Sequence, residues 1–95
     1  MAVKIMIRRT APQEMIPMLG SLFKQLRDLA GDQPGYISGE TLKKYNEPGR
    51  YLVISTWKSI EDWKNWLNNP KRIEIQTKID LLTGVPTEYE MYTYS

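Results

Sequence analysis

The residues able to carry chemistry in this chain are aromatic and cationic. Its three tryptophans, Trp57, Trp63 and Trp66, stand close together. Trp57 ends a run in which Tyr51, Val53, Ser55 and Trp57 alternate with Leu52, Ile54, Thr56 and Lys58; Trp63 and Trp66 then follow at helical spacing. A tryptophan at the end of a strand, just ahead of a helix, stands where small folds place ligand pockets, although the same side chain can simply fill core. Trp63 shares a stripe with Ile60 and Leu67, whereas Trp66 lies off it and either flanks a cavity or covers the helix end. Tyr36, Tyr45, Tyr51, Tyr89, Tyr92 and Tyr94 supply phenols that can donate hydrogen bonds inside an apolar cavity, and most of them are expected to be ordinary sheet residues. Arg8 and Arg9 close a first strand, where one can bind an anionic substrate or both can be solvated, and Lys71 with Arg72 pose the same alternative.

What is missing narrows the chemistry further. There is no histidine and no cysteine, which removes the commonest general base, the commonest transition-metal ligand, thiolate metal sites and a cysteine nucleophile. Glu40, Glu61, Asp62, Glu88 and Glu90 show no spacing that picks out an acid and base pair. No glycine-rich phosphate loop or serine elbow occurs, so nucleotide-dependent and nucleophilic hydrolytic chemistry have no support.

The elements that would position these side chains follow from periodicity. Val3, Ile5 and Ile7 alternate with Lys4, Met6 and Arg8 as a first strand. Thr10 and Gln13 spell a capping box, with Pro12 in the first turn, and Met15, Leu19, Leu22, Leu26 and Leu29 recur as the stripe of a long helix made irregular near its start by Pro17. Gln33-Pro34-Gly35 turns the chain into a second strand from Tyr36 through Thr41 and Leu42 to Tyr45, in which Gly39 signals a bulge or a close approach by another group. Asn46-Glu47-Pro48-Gly49 is a turn, and the third strand, Tyr51 to Lys58, should pair back as a hairpin. Ser59 and Asp62 can cap the helix from Ile60, Asn68-Asn69-Pro70 breaks it, and a further helix carries Ile75, Ile79 and Leu82 on one face before Thr83-Gly84-Val85-Pro86. Tyr89, Met91 and Thr93 alternate in a last strand. The order is β-α-β-β-α-β, an α+β fold with an antiparallel sheet and helices on one face, expected to form a single domain over residues 1–95.

Such a sheet leaves its second face open, and the third strand carries more apolar surface than one helical layer can cover. A partner sheet is the simplest cover, since burial at about 25 cal/mol per Å² contributes roughly tens of kcal/mol gross over a standard interface. A homodimer through the open sheet face is therefore expected, as is usual for 95 residues with a small core. A net charge of +2 without a basic block gives no reason to expect nucleic acid, and no apolar segment of membrane length or leader-like start appears, so a soluble cytoplasmic protein is the expectation.

Pro34-Gly35-Tyr36 opening the second strand, the Val53 to Ser59 segment ending in Trp57-Lys58-Ser59, and the Trp63 to Pro70 helix and break resemble the antibiotic biosynthesis monooxygenase-like superfamily over nearly the whole length. That resemblance implies a ferredoxin-like dimeric α+β barrel. It also implies one of two activities: cofactor-independent oxygenation of phenolic or quinol substrates, or haem binding and degradation. The Trp-Lys-Ser segment is nearest to the haem-degrading branch, whose pocket tryptophan matches Trp57, but the axial histidine position falls on Gln76, a poor iron ligand, and the branch's first-strand asparagine is replaced near Lys4 or Ile5. The resemblance therefore favours no cofactor over haem. It implies a monooxygenase for a small aromatic molecule, with Trp57 catalytic and Arg8, Tyr36, Trp66, Arg72 and Gln76 around a substrate whose own acidity replaces the missing histidine base. A non-catalytic dimeric binding module and a haem carrier are the competing readings.

Overall fold

The computed structural model describes residues 1–95. Strand β1 (Val3–Thr10) leads through a 3-10 turn (Gln13–Met15) to helix α1 (Ile16–Gly31); β2 (Tyr36–Lys43) and β3 (Arg50–Trp57) form a hairpin; α2 (Ile60–Leu67) and α3 (Pro70–Thr83) precede β4 (Glu88–Thr93). The four strands lie in the order β2-β3-β1-β4 with every neighbour antiparallel. Each helical crossover thus joins strands that have a third strand between them, the split arrangement of the ferredoxin-like α+β fold.

Strand parity decides what is buried. Val3, Ile5, Ile7 and Arg9 are buried on one face of β1, opposite Trp57, Ser55, Val53 and Tyr51 of β3, while Lys4, Met6 and Arg8 face the other way with Thr56, Ile54 and Leu52. The helices cover the first set: Leu19 and Leu26 of α1, Trp63 and Trp66 of α2 and Ile79 of α3 join it in one core. Leu22 and Leu29 of the α1 stripe pack against that core from its margin.

Local signals explain most boundaries. Ser59 Oγ accepts the Asp62 backbone N–H at 3.2 Å and donates to the Asp62 carboxylate at 3.0 Å, starting α2. Asn69 Oδ1 accepts from the N–H groups of Lys71 and Arg72, and Pro70 occupies the first turn of α3, where a missing N–H removes no helical bond. Gly84, at φ 72°, ends that helix in the left-handed conformation.

Two expectations are corrected, and a third is resolved between its alternatives. Thr10 caps nothing: it remains in the ladder opposite Arg50, and the α-helix begins only after the 3-10 turn, with Pro17 in its first turn. The second strand ends at Lys43, short of Tyr45, and the third runs from Arg50 to Trp57, leaving Lys58 beyond it. The irregularity of β2 lies between Tyr36 and Ser38 rather than at Gly39, which serves the alternative role of close approach, since a Cβ there would stand 2.5 Å from the Tyr36 hydroxyl oxygen. No helix is long and apolar enough to cross a membrane.

Candidate functional site

Between the helix-facing side of the sheet and the helices lies a cavity that leaves about 90 Å³ for the centres of water-sized spheres. Its sheet wall includes Ile7, Arg9, Tyr51, Val53, Ser55 and Trp57, with Tyr36, Gly39 and Thr41 from the hairpin partner; α1 contributes Phe23, Leu26 and Ala30, α2 Trp63 and Trp66, and α3 Arg72. An engineered cavity of roughly 150 Å³ accommodates benzene. This one is smaller, so even a single ring must extend towards its open side or displace its walls.

Trp57 stands at the centre of the aromatic wall and is fully buried. Tyr36 meets it edge-on at 5.4 Å and 84°, Trp63 edge-on at 6.0 Å, and Trp66 stacks on it at 6.2 Å and 23°. Its indole N–H donates to Ser55 Oγ at 3.1 Å, so the only polar atom of the ring is satisfied within its own strand. Two contacts fix this corner: the Lys58 N–H donates to the Gly35 carbonyl at 2.7 Å, and Gly35, at φ 84°, leaves room for the Asp62 side chain where a Cβ would stand. The turn before β2 is thereby held against the start of α2, and Tyr36 is held against Trp57.

The buried cations of the site are Arg9 and Arg72, and Arg27 is exposed at its edge. Arg9 Nη1 donates to Gln76 Oε1 at 3.1 Å and to Thr87 Oγ1 at 3.3 Å, and its guanidinium lies over the Phe23 ring at 5.3 Å. The Gln76 amide is oriented from behind, because its Nε2 donates to Asp80 Oδ1 at 2.9 Å and to Thr87 Oγ1 at 3.0 Å, and the Thr87 hydroxyl donates to Asp80 at 3.3 Å. Arg72 donates to the Leu67 carbonyl at 3.2 Å and to the Tyr89 hydroxyl, with Trp66 and Tyr89 rings beneath it at 6.0 and 5.4 Å. Burial pulls the Arg9 pKa below its ordinary value; Arg72 pushes in the same direction, and Tyr89 and Asp80 oppose it.

Four of the side chains singled out in the sequence, Tyr36, Trp57, Trp66 and Arg72, are brought together around the cavity. Gln76 is buried one layer behind it, in contact with Arg9. Arg8 is not at the cavity: strand alternation carries it to the opposite face, where it forms an exposed ion pair with Glu90 at 3.2 Å. Of the two strand-end arginines it is Arg9 that faces the cavity, the side to which the parity of Val3, Ile5 and Ile7 assigns its position. Sequence reasoning missed Asp80 and Thr87; Asp80 is one helical turn from Gln76, but nothing local ties Thr87 to either.

Haem does not fit this arrangement. Both ends of the Gln76 amide are engaged by Arg9, Thr87 and Asp80, and the cavity is far smaller than a porphyrin requires. Nor does any group of three carboxylates assemble to hold a metal ion.

Solved structures share the architecture over nearly the full chain. SnoaB from Streptomyces nogalater, described as a cofactor-independent oxygenase, is 19% identical, with a TM-score of 0.84 over 99% of this chain and 93% of that one. A conserved protein from Methanosarcina mazei Go1 is 16% identical with a TM-score of 0.91 over 99% and 93%, and Rv0793 from Mycobacterium tuberculosis is 12% identical with a TM-score of 0.88 over 100% and 96%. At such identities the likeness is one of fold. No curated protein matches the chain by sequence. The family model described as antibiotic biosynthesis monooxygenase matches residues 2–78, more than half of the chain, and the protein belongs to that family.

Proposed function

We propose that this protein is a monooxygenase that works without a resident cofactor on a small electron-rich aromatic molecule, a phenol or quinol, held between the sheet and the helices. The observation that carries the reading is the cavity walled by Phe23, Tyr36, Tyr51, Trp57, Trp63 and Trp66 in a member of this family. A structural neighbour described as a cofactor-independent oxygenase supports it. Ground-state oxygen reacts slowly with closed-shell molecules, so the substrate must itself supply the electrons. In the balanced reaction one oxygen atom enters the product at a ring carbon, the other leaves as water with two substrate hydrogens, and the substrate furnishes all four electrons. The part of this chain's side chains is to exclude water, to stack the ring against Trp57 and Trp66, and to favour the charge that develops on the ring oxygen through Arg72 and Arg9.

The reading includes a second copy of the chain. Met6, Leu42, Leu52, Ile54 and Tyr92 lie on the open sheet face, and none of them is covered by a helix. A homodimer that packs these faces together buries them and stiffens the strands that form the cavity floor. A cytoplasmic setting goes with this reading, and cell fractionation tests it.

Oxygen consumption with monocyclic hydroquinones and naphthoquinols, followed against spontaneous oxidation, tests the activity. Protein-dependent uptake that falls at least tenfold in Trp57→Phe, with the melting curve retained, is the expected result. Saturable ligand binding without uptake across the panel would replace the oxygenase by a binding module.

A further inference from the structure

Buried charges in proteins are normally paired, and a guanidinium that lacks a carboxylate in a water-poor site is costly unless something else supplies the negative charge. Arg9 and Arg72 are both buried, yet the ion pairs of the chain involve only Arg8, Lys24, Lys44, Arg50 and Lys78. Arg27, at the cavity mouth, is likewise outside those pairs. The nearest counter-charge to Arg9 is set one layer back: Asp80 touches Gln76 and Thr87, and these neutral groups in turn touch Arg9. No buried side-chain nitrogen lacks a partner, so the guanidinium nitrogens without a protein acceptor are those that still reach open space. Two buried like charges, with the exposed Arg27 as a third, thus border one mostly apolar cavity whose only acidic lining residue, Glu40, is exposed and forms no ion pair with them.

We infer that Arg9 and Arg72 make this cavity a site for an aromatic monoanion, a phenolate or a carboxylate on a single ring, and that Asp80 is a positioning residue that keeps Arg9 presented to it through Gln76. The inference rests on the preceding reading for the aromatic ligand and deepens it by fixing that ligand's charge. The Asp80 carboxylate orients the Gln76 amide so that its oxygen, not its NH₂ group, faces Arg9; without it the amide is free to turn and repel the guanidinium. Because the carboxylate is not itself in contact with Arg9, the outward-facing side of the cation remains available to a ligand.

All three tryptophans line the cavity, so their fluorescence reports binding without any turnover. The test compares 4-nitrobenzoate, 4-nitrophenol and the uncharged 4-nitroanisole on the full chain. The expected result is that both ionisable ligands bind at least about tenfold more tightly than nitroanisole. Bound nitrophenol should also show its phenolate absorption band at a pH below its pKa in water. Arg9→Gln, which keeps a donor for Gln76, should remove most of this preference. Asp80→Ala, which removes the acceptor that orients the Gln76 amide, should move the titration of bound nitrophenol back towards its value in water while leaving nitroanisole affinity unchanged, whereas Asp80→Asn, which keeps an acceptor oxygen and removes a negative charge, should not. The charge-conserving pair Gln76→Glu with Asp80→Asn brings a carboxylate directly onto Arg9 and should abolish the preference altogether.

Equal affinity for nitrobenzoate and nitroanisole would overturn the inference, as would failure of either anion to bind or an unshifted titration in the unaltered chain, and none of these depends on a variant folding. Anion preference without oxygen uptake would leave the site standing and remove the oxygenase. Uptake of oxygen without anion preference would do the reverse.

Discussion

Arg8 and Arg9 are neighbours in sequence and inhabit the two faces of one sheet. Arg8 is 57% exposed at its side chain and pairs with Glu90 across β4, an arrangement that water and salt largely screen. Arg9 is buried beneath α1, rests on Phe23 and has only neutral oxygen atoms in contact. The pleat alone separates a solvated charge from one held in a cavity. The difference teaches that in a thin domain the two sides of a strand can serve two purposes, a surface for association and a lining for a ligand.

The comparison can be broken most severely at the open face. Ile54→Asp places a carboxylate at the middle of that face in both copies of a symmetric assembly, and desolvating each costs several kcal/mol. Sedimentation should show a dimer for the unaltered chain, as proposed, and a monomer for the variant, and an unchanged sedimentation coefficient would count against the open face as the interface. On the covered face, Trp57→Ala empties the centre of the aromatic wall and should cost about 3–5 kcal/mol in denaturant unfolding. Arg9→Ala deprives Gln76 Oε1 of its donor and should cost about 1–3 kcal/mol, with the anion preference lost as well. Gly39→Ala sharpens the contrast differently. Its new methyl meets the end of the Tyr36 side chain, which can swing away, so stability should change by less than about 1 kcal/mol while ligand affinity in the fluorescence titration changes. The smallest effect belongs to Arg8→Ala, about 0–1 kcal/mol and diminishing with added salt.

The comparison also marks what was legible in the sequence. Elements whose apolar residues repeat strictly, such as Val3, Ile5 and Ile7 or Leu19, Leu22 and Leu26, declare both their type and their buried side, and caps such as Ser59 and Asn69 declare their own positions. Thr10 misled because its capping spelling competed with a ladder position opposite Arg50, and long-range pairing won. Gly39 pointed to an irregular strand, but the extra residue is accommodated before Ser38, where the bulge lets Tyr36 remain opposite Trp57. The aromatic half of the cavity was readable because Trp57, Trp63 and Trp66 are close in sequence. The polar half was legible only in part: Arg72 and Gln76 were named, but Arg9 meets Gln76 and Thr87 only after the last crossover, and an arginine at an inward strand position reads like any strand-end cation until its surroundings are known.

The strand order has a consequence for how the chain is made. β1 lies between β3 and β4, so it cannot complete either of its ladders until segments far behind it in the chain have been made. Until then its apolar face and both its edges stay available to other chains, the condition under which nascent proteins aggregate or recruit chaperones. The Arg9 contact with Thr87 therefore waits for the segment between α3 and β4, whereas the cavity lining is already complete at Arg72 of α3.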